Sequence, residues 1–484
     1  MVKIGLLPLY IELYDEKVPE LRPRLEKFYE YAAQKLEIEG FDVIRTPFCR
    51  IEPEFKEAVA LFEQNGVQCI VTLHMAYSPS LESAAALAGT KLPIVVLDAT
   101  DEWRFDASQN PDAISYCHGI HGVMDMCSLL NQNGKKFAIA AGHLDYSDCS
   151  DCSDVIRRAG GFVRAAVSAV SLAGSRVGSI GGMFEGMGDF AVTDKQMLDR
   201  FGVEIVNSNA ENLFGLRKSL QDSEIEAEID SDNKNSRRIG DFSREAHIQT
   251  ARECMTVRKW LETEKLSAFS VNFLKIGAET GLSAMPFMEA CKAMARGIGY
   301  AGEGDVLTAA FTGALLKGFP DTSFVEIFCP DWKGNTLFLS HMGEMNIRLT
   351  AQTPEIFEKE FIFGNNRDGR VINPVSYSGC YRNGRGVFVN VFRGQNDFKL
   401  LVSPAAMEAE PDSSDNPENS DNSENKSNFA GIIRGWMRPE KPVGEFLEDL
   451  SKAGATHHSI FVYGAYPEQI GFFGELLGLD VIEI

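Results

Sequence analysis

Short segments that are apolar along their whole length, set between longer amphipathic stretches, fix the fold class of the first third of this chain. Ile4–Tyr10, Phe41–Phe48, Cys69–Leu73, Pro93–Leu97 and Phe137–Ala141 are such runs. A strand with one wet face alternates polar and apolar residues, whereas a strand buried on both faces does not, and the second pattern belongs to a parallel sheet covered by helices. The intervening segments agree. Pro19–Gly40 carries Leu21, Leu25, Phe28, Ala32 and Leu36 at helical spacing and ends on glycine, and Glu52–Glu63 and Ser78–Ala88 suit helices. Residues 1–172 read as an open doubly wound α/β domain, a fold that places its ligands at the carboxyl ends of the strands.

At 484 residues the chain exceeds what a single core supports. Gly174-Ser-Arg-Val-Gly-Ser-Ile-Gly-Gly opens a second α/β unit, residues 173–320. It has strands near Val177–Ile180, Val203–Val206 and Phe269–Phe273, and helices near Ser243–Lys265 and Pro286–Arg296, with Asp305 capping another over Val306–Lys317. Residues 321–484 change pattern. Ser323–Phe328, Thr336–Leu339, Phe361–Phe363, Gly386–Phe392 and Lys399–Val402 read as short strands between turns, hence a β-rich barrel or sandwich. Residues 407–428 hold seven acids against one lysine and no aromatic, a composition that cannot bury a core, and read as a disordered acidic insertion between two strands. Asn425-Lys-Ser within it matches a glycosylation acceptor only by chance, since no secretory signal accompanies it.

Charge and motifs narrow the function. With 47 Lys+Arg against 69 Asp+Glu the formal charge is -22, which excludes a nucleic-acid binder that needs clustered cations. No apolar run approaches the roughly 18 residues that cross a bilayer, so no membrane partner is expected. The apolar N-terminus runs into Glu12, Asp15 and Glu16 without a cleavage site and reads as a first strand. Ten cysteines are mostly single, among them Cys69, Cys127, Cys291 and Cys329. Cys149-x-x-Cys152 has the spacing of half a zinc site with no second pair, so the thiols read as buried or incidental ones of a reducing cytoplasm. Walker A, Gly-x-Gly-x-x-Gly, His-Glu-x-x-His and Gly-x-Ser-x-Gly patterns are absent.

Four residues stand in settings that invite chemistry. Glu303 lies between glycines in Ala301-Gly-Glu-Gly-Asp, where backbone can approach a ligand closely. Glu326 interrupts the apolar strand Phe324-Val-Glu-Ile-Phe. His341 ends a strand in Leu-Ser-His-Met-Gly-Glu, and His457-His458 stand between a helix and an apolar strand. Each also has a plain structural role open to it: Glu303 as a helix N-terminal carboxylate, Asp305 as a cap, Glu326 on a wet strand face, and His341 and His458 as satisfied structural histidines.

These residues fall in four motifs that occur together. Gly299-Tyr-Ala-Gly-Glu-Gly-Asp-Val-Leu-Thr-Ala-Ala, Thr322-Ser-Phe-Val-Glu, Ser340-His-Met-Gly-Glu and Thr456-His-His-Ser-Ile-Phe, in this order and spacing, resemble the L-arabinose isomerase family. Weaker similarity runs through His121-Gly122 and Ala191-Val-Thr-Asp. The resemblance implies a flavodoxin-like N-terminal domain, a related α/β central domain and a β-rich, barrel-like C-terminal domain. It implies Glu303, Glu326, His341 and His458 as ligands of a divalent cation, with His457 the alternative to His458. Mn²⁺ is the family's metal, and hard carboxylates with imidazoles and no thiolate suit Mn²⁺, Co²⁺ or Mg²⁺. It implies Glu303 and Glu326 as the catalytic acid/base pair of an aldose–ketose isomerase working through a cis-enediol. It further implies Met187, Phe273 and His121 as substrate-binding residues, His121 coming from a neighbouring subunit. The partners so implied are a monosaccharide and further copies of the chain, as a trimer or hexamer with the active site at the subunit interface.

The chain departs from the family on the substrate side. Leu7-Pro-Leu-Tyr-Ile-Glu-Leu-Tyr-Asp stands where the family has Ser-Gln-His-Leu-Tyr-Gly, and His118 replaces a glutamine. L-arabinose to L-ribulose is therefore joined by other readings: a fucose- or galactose-type aldose isomerase, a sugar epimerase, or an inactive sugar-binding relative.

Overall fold

The apolar runs of the first third become five strands, β1 (Val2–Leu9), β2 (Phe41–Arg45), β3 (Cys69–His74), β4 (Ile94–Thr100) and β5 (Phe137–His143). In the computed structural model, which describes residues 1–144, 154–362, 371–411 and 429–484, all pair in parallel in the order β2-β1-β3-β4-β5. That order is the flavodoxin-like one. Every residue of β3 is buried, as a non-alternating central strand requires. The helix Arg22–Ile38 buries Leu25, Phe28, Ala32 and Leu36 of the predicted stripe. Helices Glu52–Gln64, Ser80–Gly89 and Gly119–Gln132 give Phe55, Phe62, Leu87, Val123 and Met126 to one core with Leu7, Ile70 and Ile94.

The chain divides into two compact units, Met1–Val170 and Ser171–Ile484. The second contains β6 (Arg176–Ile180), β7 (Glu204–Asn207), β8 (Arg237–Arg238), β9 (Ala268–Val271), β10 (Gly299–Gly302), β11 (Thr322–Asp331) and β12 (Thr336–Ser340). It continues with β13 (Glu355–Glu358), β14 (Val375–Cys380), β15 (Gly384–Arg393), β16 (Phe398–Glu408), β17 (Ile433–Pro439), β18 (His458–Tyr463) and β19 (Asp480–Glu483). Four of these form a parallel sheet ordered β7-β6-β9-β10, repeating the first four places of the N-terminal order. Six others close a ring, β16-β15-β18-β11-β12-β17 and back to β16, in which every pairing is antiparallel. β19 extends it beside β16, and β14, β13 and β8 extend it beside β17. Val325, Leu337, Leu339, Phe388, Leu401, Met407, Met437 and Phe461 fill its core. Helix Val306–Gly318 is buried at every position except Lys317 because it lies between the parallel sheet and the barrel.

Three expectations are corrected. β9 stops at Val271 rather than Phe273, because the Asn272 carboxamide accepts the Leu274 N–H and turns the chain into a 3₁₀ turn over Phe273–Lys275. Phe361 and Ile362 belong to no strand; the strand lies upstream at Glu355–Glu358, and position 363 falls outside the described residues. The acidic insertion begins later than 407, since Met407 and Glu408 finish β16 and pair with β17, and Glu410 holds Arg434 at 2.7 Å. Residues 412–428, with Asn425, and the pair Cys149/Cys152 lie outside the described residues. The eight described cysteines are free thiols, Cys329 an exposed one. Among the described residues, no helix is long and apolar enough to cross a membrane.

Candidate metal and substrate site

Strand register assembles most of the site. In β11, Glu326 stands opposite His458 of β18 on one side and Ser340 of β12 on the other. Directly opposed residues of antiparallel strands put their side chains on one face, so Glu326 and His458 share a face. His341 follows Ser340, with its Nε2 at 3.6 Å from Glu326 Oε2. The fourth group arrives from the parallel sheet. β10 ends at Gly302, and Glu303 adopts a left-handed backbone, φ +62°. For a side-chain-bearing residue this costs about 1–2 kcal/mol, strain that collects at functional sites. The turn is also tight: a Cβ on Gly304, itself at φ +81°, would lie 2.2 Å from the Gly182 carbonyl oxygen. Thus held, Glu303 Oε2 is 3.6 Å from His458 Nε2 and 3.4 Å from His457 Nε2. Two trios of donor atoms each fall within 4.8 Å, Glu326–His341–His458 and Glu303–His457–His458, and His458 belongs to both.

Carboxylates behind the rings aim them. His341 Nδ1 bonds Glu344 Oε2 at 2.6 Å, and Glu344 also accepts the Tyr300 hydroxyl and the Gly343 N–H. His458 Nδ1 bonds Asp305 Oδ2 at 2.9 Å while Asp305 Oδ1 accepts the Thr308 N–H, so Asp305 both caps its helix and orients an imidazole. Such pairs fix the tautomer and leave Nε2 as the lone-pair donor. Phe190 stacks on the His458 ring at 5.0 Å, and Phe324 meets both His341 and His458 edge-on at 5.0 Å. Among the described residues, His458 Nε2 is buried without a hydrogen-bond partner. A polar atom in that state is costly unless something occupies the space before it.

The two glutamates are electrostatically unlike. Burial raises the Glu326 carboxyl above its usual range, and the nearby imidazoles only partly offset it. Burial works on Glu303 in the same direction, but the His457 hydrogen bond and the charges of His458 and His341 outweigh it and hold the carboxyl low. Burial would depress His341 and His457, yet Glu344 lifts the first to about 9, and Glu303 with Asp189 lifts the second to about 9. Surroundings that draw protons to imidazoles also suit a cation that would replace those protons. Two carboxylates and two imidazoles, all hard or borderline donors, fit a divalent ion of the Mn²⁺, Co²⁺ or Mg²⁺ type.

The remaining expected residues divide between the units. Phe273 follows β9 and meets the Phe184 ring at 5.5 Å, and Met187 lies half-buried in the loop after β6. Both therefore sit at the carboxyl edge of the parallel sheet, where Glu303 also emerges and its carbonyl accepts the Phe184 N–H. His121 lies exposed on helix Gly119–Gln132 of the first unit. There, His118 Nε2 bonds the Tyr14 hydroxyl at 3.1 Å, so the two places that depart from the family pattern touch each other. The motifs did not single out Asp189, whose carboxylate takes both the ring and the backbone N–H of His457, nor the orienting role of Glu344. Glu344 had a signal, three residues after His341; Asp189 had none.

Fold and cluster together define a multidomain α/β protein with a buried carboxylate–imidazole centre between a parallel sheet and a barrel wall. Residues 182–317 match the family described as the L-arabinose isomerase central domain. An L-arabinose isomerase of Shouchella clausii is 26% identical over 62% of this chain and 59% of its own length. That of Halalkalibacterium halodurans is 25% identical over 69% of this chain and 64% of its own. The alignments span about three-fifths of the length of these curated relatives. Among solved structures, a periplasmic solute binding protein of an ABC transporter from Actinobacillus succinogenes 130z is similar over 66% of this chain and 92% of its own at 14% identity. The TM-score of that pair is 0.17. The chain is thus similar to the L-arabinose isomerases, through a match of residues 182–317 to their central domain and through partial alignments to these relatives.

Proposed function

We propose that this protein is a metal-dependent aldose–ketose isomerase converting L-arabinose to L-ribulose, or a closely related sugar pair, in the cytoplasm. Glu303, Glu326, His341 and His458 hold the cation, most suitably Mn²⁺. The observation that carries the reading is His458 Nε2, buried, without a hydrogen-bond partner among the described residues and 3.6 Å from Glu303 Oε2. His458 is favoured over His457 because its other nitrogen is anchored on Asp305, whereas both ring nitrogens of His457 face carboxylates. The chain is read as three domains, 1–172, 173–320 and 321–484, and as a homo-oligomer, trimer or hexamer, in which a neighbour's His121 reaches the sugar.

The cation, when bound, polarises the substrate carbonyl and stabilises negative charge on the neighbouring oxygens. The chain's residues supply the proton chemistry. Isomerisation removes a proton from C2 of the aldose, delivers one to C1 and moves the O2 hydroxyl proton to O1, through a cis-enediol. Glu303, whose carboxyl the imidazole neighbours hold low, is the base, and Glu326, whose carboxyl burial raises, is the acid. Positioned proton transfer of this kind is worth about 10²–10⁴-fold. Phe273 and Met187 supply apolar walls beside the sugar carbons. Assay of ketose formation over a panel of aldoses with added Mn²⁺ tests the proposal. Turnover with wild type and its loss in Glu303→Gln and Glu326→Gln, with the oligomer intact, is the expected result. Binding of sugars without turnover of any would refute the isomerase reading, and near-normal rates in either variant would refute the acid/base assignment.

A further inference from the structure

A cavity of about 420 Å³ opens on the second unit and shares no lining residue with the carboxylate–imidazole centre. Five of its lining residues, Glu228, Asp232, Arg258, Lys292 and Arg296, form one set of ion pairs with Glu289. Arg258 donates to Glu228 at 2.6 Å and Glu289 at 2.8 Å, Lys292 donates to Glu228 at 2.6 Å and to Asp232, and Arg296 donates to Glu289. Those three cations and three carboxylates cancel. Arg348, also lining the cavity, does not belong to the set. It is exposed, and among the described residues its guanidinium has no hydrogen-bond or ion-pair partner. Among the described residues, Arg296 uses only Nη2, on Glu289, and its Nε and Nη1 have no partner. In a chain of formal charge -22, a concave site with a positive surplus is built against the general field of the molecule.

We propose that this cavity binds a phosphate group, free or carried on a small metabolite. The planar forks of Arg348 and Arg296 match phosphate oxygens pairwise, which a lysine cannot do. Ser231, Asn235 and Tyr377 line the same cavity; the Asn235 amide nitrogen donates to the Ser231 carbonyl and hydroxyl, and the Asn235 amide oxygen and the Ser231 hydroxyl proton are the groups left to meet a polyol tail. The site has a route to the metal centre. Cys291, on the helix Phe287–Ala295 that carries Glu289 and Lys292, donates its thiol to the Gly343 carbonyl at 3.2 Å and accepts the Met345 N–H at 3.4 Å. Those residues flank Glu344, which aims His341. Arg348 lies in the 3₁₀ turn Ile347–Leu349, whose cap Asn346 donates to the Thr322 carbonyl at the start of β11. A phosphate gripped by Arg348 therefore bears on the segment joining His341 to the strand of Glu326, as an effector would.

Binding can be measured without reference to the isomerase activity. The full chain is titrated calorimetrically with ribose 5-phosphate and, separately, inorganic phosphate, in a phosphate-free buffer, alongside Arg348→Ala and Glu326→Gln. Saturable binding that Arg348→Ala weakens about tenfold or more, and that Glu326→Gln leaves within about twofold, is expected. Tighter binding of the sugar phosphate identifies a metabolite, and equal affinities identify free phosphate. No saturable heat from either up to about 10 mM, or an unchanged affinity in a folded Arg348→Ala, overturns the proposal.

Discussion

Replacing Gly302 by alanine probes the centre where it has least room. A Cβ at this position falls 2.6 Å from His341 Cε1 and 2.8 Å from Nε2, whereas ordinary contact begins at 3.4 Å. Between 2.6 and 3.4 Å the ring has about 0.8 Å to yield. It is poorly placed to do so, because Glu344 ties Nδ1 at 2.6 Å and Phe324 stands against its side. Overpacking of this kind costs about 1–3 kcal/mol in stability, and misplacing a functional group by about 1 Å costs on the order of 10²-fold in rate. The expected variant is folded, melts a few degrees lower, binds Mn²⁺ more weakly and has a kcat about 10²-fold reduced. Circular dichroism melts, Mn²⁺ calorimetry and initial rates at saturating metal read the three effects. A folded G302A with unchanged Mn²⁺ affinity and a kcat within about threefold of wild type would refute the placement of His341 in the working site.

Asp305→Asn separates two duties of one residue. Asparagine caps a helix as well as aspartate does, so the melting temperature should hold, while loss of the carboxylate behind His458 should weaken Mn²⁺ binding about 10–100-fold by calorimetry. Glu228 sets an acid limit on the second unit. Burial opposes its ionisation, but hydrogen bonds from Arg258 and the charge of Lys292 win and bring it from 4.5 to about 2. A carboxyl lowered in the folded state contributes stability that is complete above the unfolded value of 4.5 and is lost as pH falls toward 2. Urea melts of Glu228→Gln should therefore show a deficit on the order of 3 kcal/mol at pH 7 that narrows below about pH 4.5; a deficit independent of pH would contradict the ion-pair account.

Much of the fold was legible because burial leaves a periodic trace. The non-alternating runs of β1 and β3 signalled a parallel sheet, and the Asp305 cap was readable from a short polar side chain before the apolar Val306–Gly318. What local pattern cannot carry is the pairing of distant segments. β16 extends to Glu408 only because β17 offers Trp436 as its partner, and nothing within residues 407–411 announces this. The site divides the same way. Glu303 between glycines advertised a special backbone, and the left-handed φ agrees. Asp189, by contrast, acquires its role from His457, 268 positions away, through a contact that only the folded second unit creates.

The ring of six strands has one further implication, for how this chain tolerates change. The Glu326–His458 pair lies on the β11–β18 pairing, which is diametrically opposite the β16–β17 pairing that closes the ring. The long acidic segment connects those two closing strands, whose ends are pinned by Ala405–Glu408 against Trp436–Pro439. Length added or removed there leaves the register of β18, β11 and β12 untouched. The stretch between those two strands is thus where a reporter or tether can be grafted while the donor atoms keep their spacing on the far wall.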